Sequence, residues 1–140
     1  MKIMIAADGS SHTQHLLAYV AAHDEWLGTR HEYTVLNVVP FLPPRATALA
    51  GDTATEAYYC DEAERVLEPI RAFFKEQGLT ADFVAQHGNV ADVIARQAEL
   101  GKFDLLMMGS RGHGSLVNVI MGSVATQVLA RCKVPALLVR

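Results

Sequence analysis

The chain has 140 residues, enough for one ordinary domain that buries a full core without staples. Half of its residues are hydrophobic (51%), and 15 acidic against 12 basic side chains leave a formal net charge of -3. Cations that are few and scattered argue against nucleic acid as the main partner, because a phosphate backbone demands clustered positive charge. No apolar run approaches the length of a membrane span. The apolar start, Ile3-Met4-Ile5-Ala6-Ala7, is cut by Asp8 too early for a signal-peptide core. Cys60 and Cys132 lie far apart in sequence, which fits a reduced, cytoplasmic protein better than a disulfide scaffold.

Hydrophobic periodicity predicts nine alternating elements. Lys2–Ala7 is a continuous apolar run, expected as a buried strand. Ser11 with Gln14 reads as a capping box opening a helix whose inner face carries Leu16, Leu17, Val20 and Leu27, closed by Gly28. Glu32–Val39 is the second strand, ended by Pro40. Residues 41–52, with Pro43, Pro44 and Gly51, read as a long exposed loop. Thr53 with Glu56 is a second capping box, and Tyr59, Ala63, Val66, Leu67, Ile70, Phe73 and Phe74 trace a helical stripe as far as Gly78. Pro69 inside that stripe predicts a kink. Ala81–Gln86 is the third strand. Asn89 caps a helix carrying Val90, Val93, Ile94 and Ala98, which stops at Gly101. Phe103–Met108 is the fourth strand, Val124–Arg131 a helix and Val134–Val139 the fifth strand.

Strands alternating with helices at this spacing predict an α/β domain over residues 1–140: an open, five-stranded parallel sheet with helices on both faces, Rossmann-like. Right-handed crossovers favour the strand order 3-2-1-4-5, whose winding reverses between strands 1 and 4. Ligands of such sheets bind outside the carboxyl ends of the strands at that reversal. Two segments land there, Asp8-Gly9-Ser10 after strand 1 and Gly109-Ser110-Arg111-Gly112 after strand 4.

The second segment is followed by nine residues and then Gly122-Ser123. A strand opening into a glycine-rich loop and then a helix suits phosphate: backbone N–H groups approach an anion where no Cβ stands in the way. A branched side chain at Gly112 or Gly122 would then stand where phosphate sits. The helix starting near Ser123 adds unpaired N–H groups and the positive end of its dipole. Plainer roles stand beside these. The glycines also suit a simple turn, Asp8 a helix cap, and Ser10 and Ser11 caps rather than nucleophiles. His12 and His15 share a helix face without an evident third metal ligand. Arg111 and His113 face either phosphate or water.

Other chemistries lack their signatures. The sequence has no G-x-x-x-x-G-K-[ST], no G-x-G-x-x-G after the first strand and no G-x-S-x-G. Without a phosphate-loop lysine, and with no obvious base beyond Asp8, binding is better supported than phosphoryl transfer.

The pattern G-x-x-G, nine residues, G-S, with Asp8 ending strand 1, resembles the ATP-binding branch of the universal stress protein family. Ala7-Asp8-Gly9-Ser10, Leu36-Asn37-Val38-Val39-Pro40, Gly88 and Val134-Pro135 extend the likeness along the whole chain. The resemblance implies that Ala7, Asp8 and Val38 line the adenosine side of a nucleotide. Met108, Gly109, Arg111, Gly112, Gly122, Ser123 and Val124 would line its ribose and phosphates. It implies ATP as ligand, with Mg²⁺ an optional companion, and a nucleotide-dependent regulatory role in stress response. One departure stands out: a family hydroxyl two residues after Ser123 is replaced by Ala125, with Thr126 displaced by one. The loss of one such contact weakens phosphate binding by about 1 kcal/mol, roughly fivefold.

A slow adenine-nucleotide hydrolase or transferase, and a nucleotide-free dimeric member, are the alternative functions. The apolar final strand is expected at a sheet edge with no helix after it, so self-pairing into a homodimer is expected there, as the resemblance also implies. Pro135, which removes one donor, offers the opposing reading of a blunted edge.

Overall fold

The computed structural model describes residues 1–113, 118 and 120–140. Residues 114–117 and 119, in the spacer between Gly112 and Gly122, lie outside the described residues. Five strands, β1 (Lys2–Ala6), β2 (Glu32–Pro40), β3 (Ala81–Gly88), β4 (Leu105–Gly109) and β5 (Ala136–Val139), form one sheet in the expected order β3-β2-β1-β4-β5. Every neighbouring pair is parallel. The helices are α1 (Ser11–Ala22), α2 (Asp24–Leu27), α3 (Pro44–Glu76), α4 (Val90–Leu100) and α5 (Ser123–Arg131). Among the described residues no helix is long and apolar enough to cross a membrane.

The near-continuous apolar runs of the central strands follow from burial on both faces. Ile3, Ile5 and Val35 pack under α1 and α3, against Leu16, Val20, Leu67, Ile70 and Phe74. Their neighbours Met4, Leu36 and Leu106 point the other way, against Ala91, Ile94 and Ala98 of α4 and Val128 of α5. Each fully buried Leu, Ile or Val contributes about 1.5–3 kcal/mol of transfer free energy.

Several expected boundaries move, each for a local reason. The first helix is interrupted at His23 (φ −124°, ψ 45°), separating α1 from the single turn α2. The His23 ring stacks on Tyr19 at 4.0 Å and its Nδ1–H donates to Tyr19 O (2.8 Å), drawing the chain out of the helical path. Tyr33, buried in the core, donates its hydroxyl to Leu27 O and Gly28 O and so pins the end of α2, and burial pushes its phenol up to about 12.

Neither capping box forms as expected. Ser10, not Ser11, occupies the N-cap of α1, without a side-chain bond, and Gln14 N–H donates to Ser10 O. The expected loop 41–52 is largely helical. Pro43 is the N-cap of α3, and Pro44 stands at its first turn, where the fixed φ and absent N–H suit a helix start. Ala46, Ala48 and Ala50 then carry the helix to Gly51, whose φ of 80° breaks it into segments 44–50 and 52–76. The non-helical residue inside α3 is therefore Gly51 rather than one beside Pro69. Pro69 nonetheless deprives Arg65 O of its partner N–H. At the other boundaries, β3 runs on to Gly88, while β4 and β5 begin two residues later than expected.

Candidate functional site

β1 and β4 lie side by side, yet the chain leaving β1 turns to α1 on one face of the sheet and the chain leaving β4 runs on to α5 on the other. Their carboxyl ends therefore part and open a cleft of about 550 Å³. Every expected binding residue lines it. Ala7, Asp8 and Val38 come from the ends of β1 and β2, Met108, Gly109, Arg111 and Gly112 from the end of β4, and Gly122, Ser123 and Val124 from the start of α5.

Asp8 is held through its N–H, its carbonyl and the Oδ1 oxygen of its carboxylate. Its N–H donates to Thr13 Oγ1 (3.1 Å), and Thr13 in turn donates that hydroxyl to Asp8 Oδ1 (3.0 Å). Ser10 N–H donates to the same oxygen (2.9 Å), and His113 donates its Nε2–H to Asp8 O (2.8 Å). Burial is the largest influence on the carboxyl and pushes its pKa up. Hydrogen bonds from Ser10 and Thr13, with the charge of His113, outweigh it and hold the group below the usual carboxylate range. Asp8 is thus an anion at neutral pH.

The residue before it is tied from the other side. Asn37, 4% exposed, donates Nδ2–H to Ala7 O (2.8 Å), while Ala7 N–H bonds Leu36 O (2.9 Å). The Ala7–Asp8 peptide is therefore bonded at both its carbonyl and its N–H, which fixes Asp8 relative to Val38.

The loop after β4 folds tightly onto this unit. A Cβ on Gly109 would stand 2.7 Å from His12 Cβ, and one on Gly112 would stand 2.4 Å from Asp8 Oδ2. The glycine at 112 is required by the approach of Asp8, and a Cβ on Gly122 would meet Arg111 Cα at 3.2 Å. Ser110 joins the parts: its N–H donates to Val139 O (2.8 Å) and its carbonyl accepts from Gly122 N–H (2.7 Å).

Gly122 is the N-cap of α5, and no side chain caps it. The N–H groups of Ser123, Val124 and Ala125 precede the first intrahelical bond, Thr126 N–H to Gly122 O, and so face the cleft as donors. Arg111, half-buried in the same wall, has no carboxylate partner among the described residues. Donors without acceptors and a guanidinium without a carboxylate partner, among the described residues, suit a phosphate or another anion. Ala125 is buried in the cleft wall, and the Thr126 hydroxyl donates back to Gly122 O (2.9 Å), so it does not replace the missing hydroxyl.

The rest of the lining escaped the sequence pattern. A polar residue at an otherwise apolar, buried position is the signal that could have marked Thr13 and Asn37. Glu62, Arg65 and Val66 of α3, and Val90 and Ile94 of α4, reach the cleft only through tertiary packing. His12 and His15 meet edge to face at 5.8 Å. Among the described residues no cluster of three or more His, Cys, Asp or Glu is placed to hold a metal.

Known proteins share this architecture. The chain is 31% identical to a universal stress protein of Thermus aquaticus, over 99% of this chain and 97% of that protein. It is also 31% identical to universal stress protein Slr1230 of Synechocystis, covering 99% of this chain but only 42% of that longer protein. Among solved structures, hypothetical protein MJ0577 superposes with a TM-score of 0.80 at 25% identity, over 99% of this chain and 94% of that one. An Arabidopsis thaliana universal stress family protein with AMP bound matches at 0.69 and 16% identity, over 99% and 90%. The Archaeoglobus fulgidus universal stress protein in complex with dAMP matches at 0.68 and 18%, over 100% and 98%. The universal stress protein family model matches residues 1–140, and the chain belongs to that family.

Proposed function

We propose that the cleft binds an adenine nucleotide, with ATP as the working ligand, and that occupancy sets the state of a cytoplasmic regulatory module in stress response. The observation that carries this reading is the convergence of the bonded Asp8 unit, the glycine loop and the open N-terminus of α5 on one cleft of nucleotide size. The AMP and dAMP held by the Arabidopsis and Archaeoglobus relatives support the adenine class.

In this reading the base and ribose lie against Ala7, Asp8 and Val38. The phosphates meet the backbone of Gly109 and Gly112 and the first N–H groups of α5, with Arg111 supplying charge. One guanidinium leaves much of a triphosphate's charge uncompensated, which gives Mg²⁺ a place as companion of the ligand rather than as a resident metal. Hydrolysis would be weak, because no lysine reaches along the loop and Asp8 already accepts from Ser10 and Thr13.

β5 supports a second element, a homodimer. It pairs with β4 on one side only, and Leu137 and Leu138 are half-buried. Its other edge is open to pairing with a second copy. Titration calorimetry of ATP, ADP and AMP against the purified protein tests the main reading. Binding at micromolar to millimolar ligand supports it, and no heat from any adenine nucleotide at millimolar concentration refutes it.

A further inference from the structure

α1 packs across β4 and β5, next to the open edge of the sheet. On one flank of the helix, Thr13 bonds Asp8 at the end of β1; on the other, His12 stands against Gly109 at the end of β4. The second flank carries His12, His15 and Tyr19, at i, i+3 and i+7, and therefore faces the β5 edge. His15 is exposed, and His12 and Tyr19 are half-buried. The His12 Nδ1 atom is buried with no hydrogen-bond partner among the described residues.

We propose that this flank packs on the same flank of a second copy, as a layer of contact above the β5 seam, and that its histidines make the assembly fail in mild acid. This rests on the homodimer reading and names residues outside β5. Antiparallel pairing of two β5 strands has its two-fold axis perpendicular to the sheet. Both copies of α1 then lie on one face and run antiparallel. Strands about 4.8 Å apart put a helix lying midway over β4 and β5 about 5 Å from that axis. The two helices are then about 10 Å apart, a distance at which helices pack. Gly109, beside His12, is paired with Val139. The middle of β5 lies about 5 Å back from Val139, which is about three residues along a helix. That brings His15 to the axis, opposite its own copy, with His12 and Tyr19 to either side.

Neutral imidazoles and a tyrosine suit a close aromatic contact. Imidazole takes up charge as pH falls through about 6.5, and the two histidines of each copy then crowd the axis with cations. Little offsets them. Arg111 and His113 after β4 and Arg140 after β5 add only positive charge. Asp24 and Glu25 lie at the far end of α1, on α2, while Asp8 is turned to the other flank and bonded to Ser10 and Thr13. Among the described residues no carboxylate pairs with His12 or His15.

Sedimentation equilibrium at low salt, where screening is weak, tests this at pH 8 and pH 5.5. The dimer dissociation constant of the wild type should rise roughly tenfold or more in acid. The double variant His12→Gln with His15→Gln keeps two polar, uncharged side chains and should hold the dimer at both pH values. His15→Arg fixes a cation at the axis and should weaken the dimer at pH 8 to about the acid value of the wild type. Thermal melts confirm that each variant folds, and the glutamine pair carries the test if the arginine variant does not. A dissociation constant unmoved between the two pH values, or moved equally in the wild type and the double variant, overturns the α1 layer and leaves the β5 seam standing. A wild-type monomer at pH 8 overturns both.

Discussion

Gly112 lies so close to Asp8 that a Cβ there would sit 2.4 Å from the carboxylate Oδ2. The carboxylate cannot simply swing aside, since its other oxygen is bonded to Ser10 N–H and Thr13 Oγ1–H. The first prediction concerns this contact. Gly112→Ala should destabilise the fold by about 1–3 kcal/mol through overpacking and weaken AMP binding roughly tenfold. In the double variant with Asp8→Ala the clash is gone, so the two costs should fall short of their sum. Urea denaturation of the four proteins in the cycle measures this, and simple additivity would contradict the contact.

A second prediction follows from the ionisation of Asp8. Its folded-state pKa is lowered, so its contribution to stability is fully present above the unfolded-chain value of about 4 and is lost as pH falls through the folded value. The stability advantage of the wild type over Asp8→Asn should be flat from neutral pH to about 5 and shrink below about 4. Denaturation midpoints across that range read the difference, and an advantage that grows on acidification would show the sign to be wrong.

Thr13 offers a third. Its hydroxyl accepts from the N–H groups of Asp8 and Gly9 and donates to Asp8 Oδ1. Thr13→Val keeps the shape and removes all three bonds, so it should cost about 1–3 kcal/mol. Thr13→Ser should recover most of that loss.

Turnover supplies a fourth. Steady-state ATP hydrolysis should lie below about 1 s⁻¹, the floor of ordinary enzymes. A faster rate, abolished by Asp8→Asn, would move the protein into the hydrolase class.

The fifth concerns assembly. Light scattering should report twice the 15.2 kDa chain mass, and Leu137→Lys or Val139→Lys should return a monomer. A wild-type species of 15.2 kDa would remove β5 as a seam.

The sheet was legible because strands such as Ile3–Ile5 and Leu105–Met108 are buried on both faces and leave uninterrupted apolar runs. The switch-point loops were legible because glycine and aspartate there answer to backbone geometry, which is written locally. What escaped was context. Two prolines that usually punctuate loops start α3, because the second one stands at N1. The α1–α2 break depends on the His23 side chain turning back to Tyr19, which no periodicity encodes. Glu62 and Arg65 belong to no motif in the sequence, and only the fold brings them to the cleft.

The bonded Ala7–Asp8 peptide bears on the thermodynamics of recognition. Asn37 and Thr13 immobilise it through contacts made entirely within the protein. The order a nucleotide would otherwise impose there is acquired during folding, and the ligand arrives at a preorganised wall. Conformational adjustment then falls to the Glu62–Arg65 pair and to the Arg111 side chain. Binding enthalpy at the Asp8 wall should therefore carry little entropic offset, and amide hydrogen exchange at Asp8 and Gly9 should be slow before any nucleotide is added.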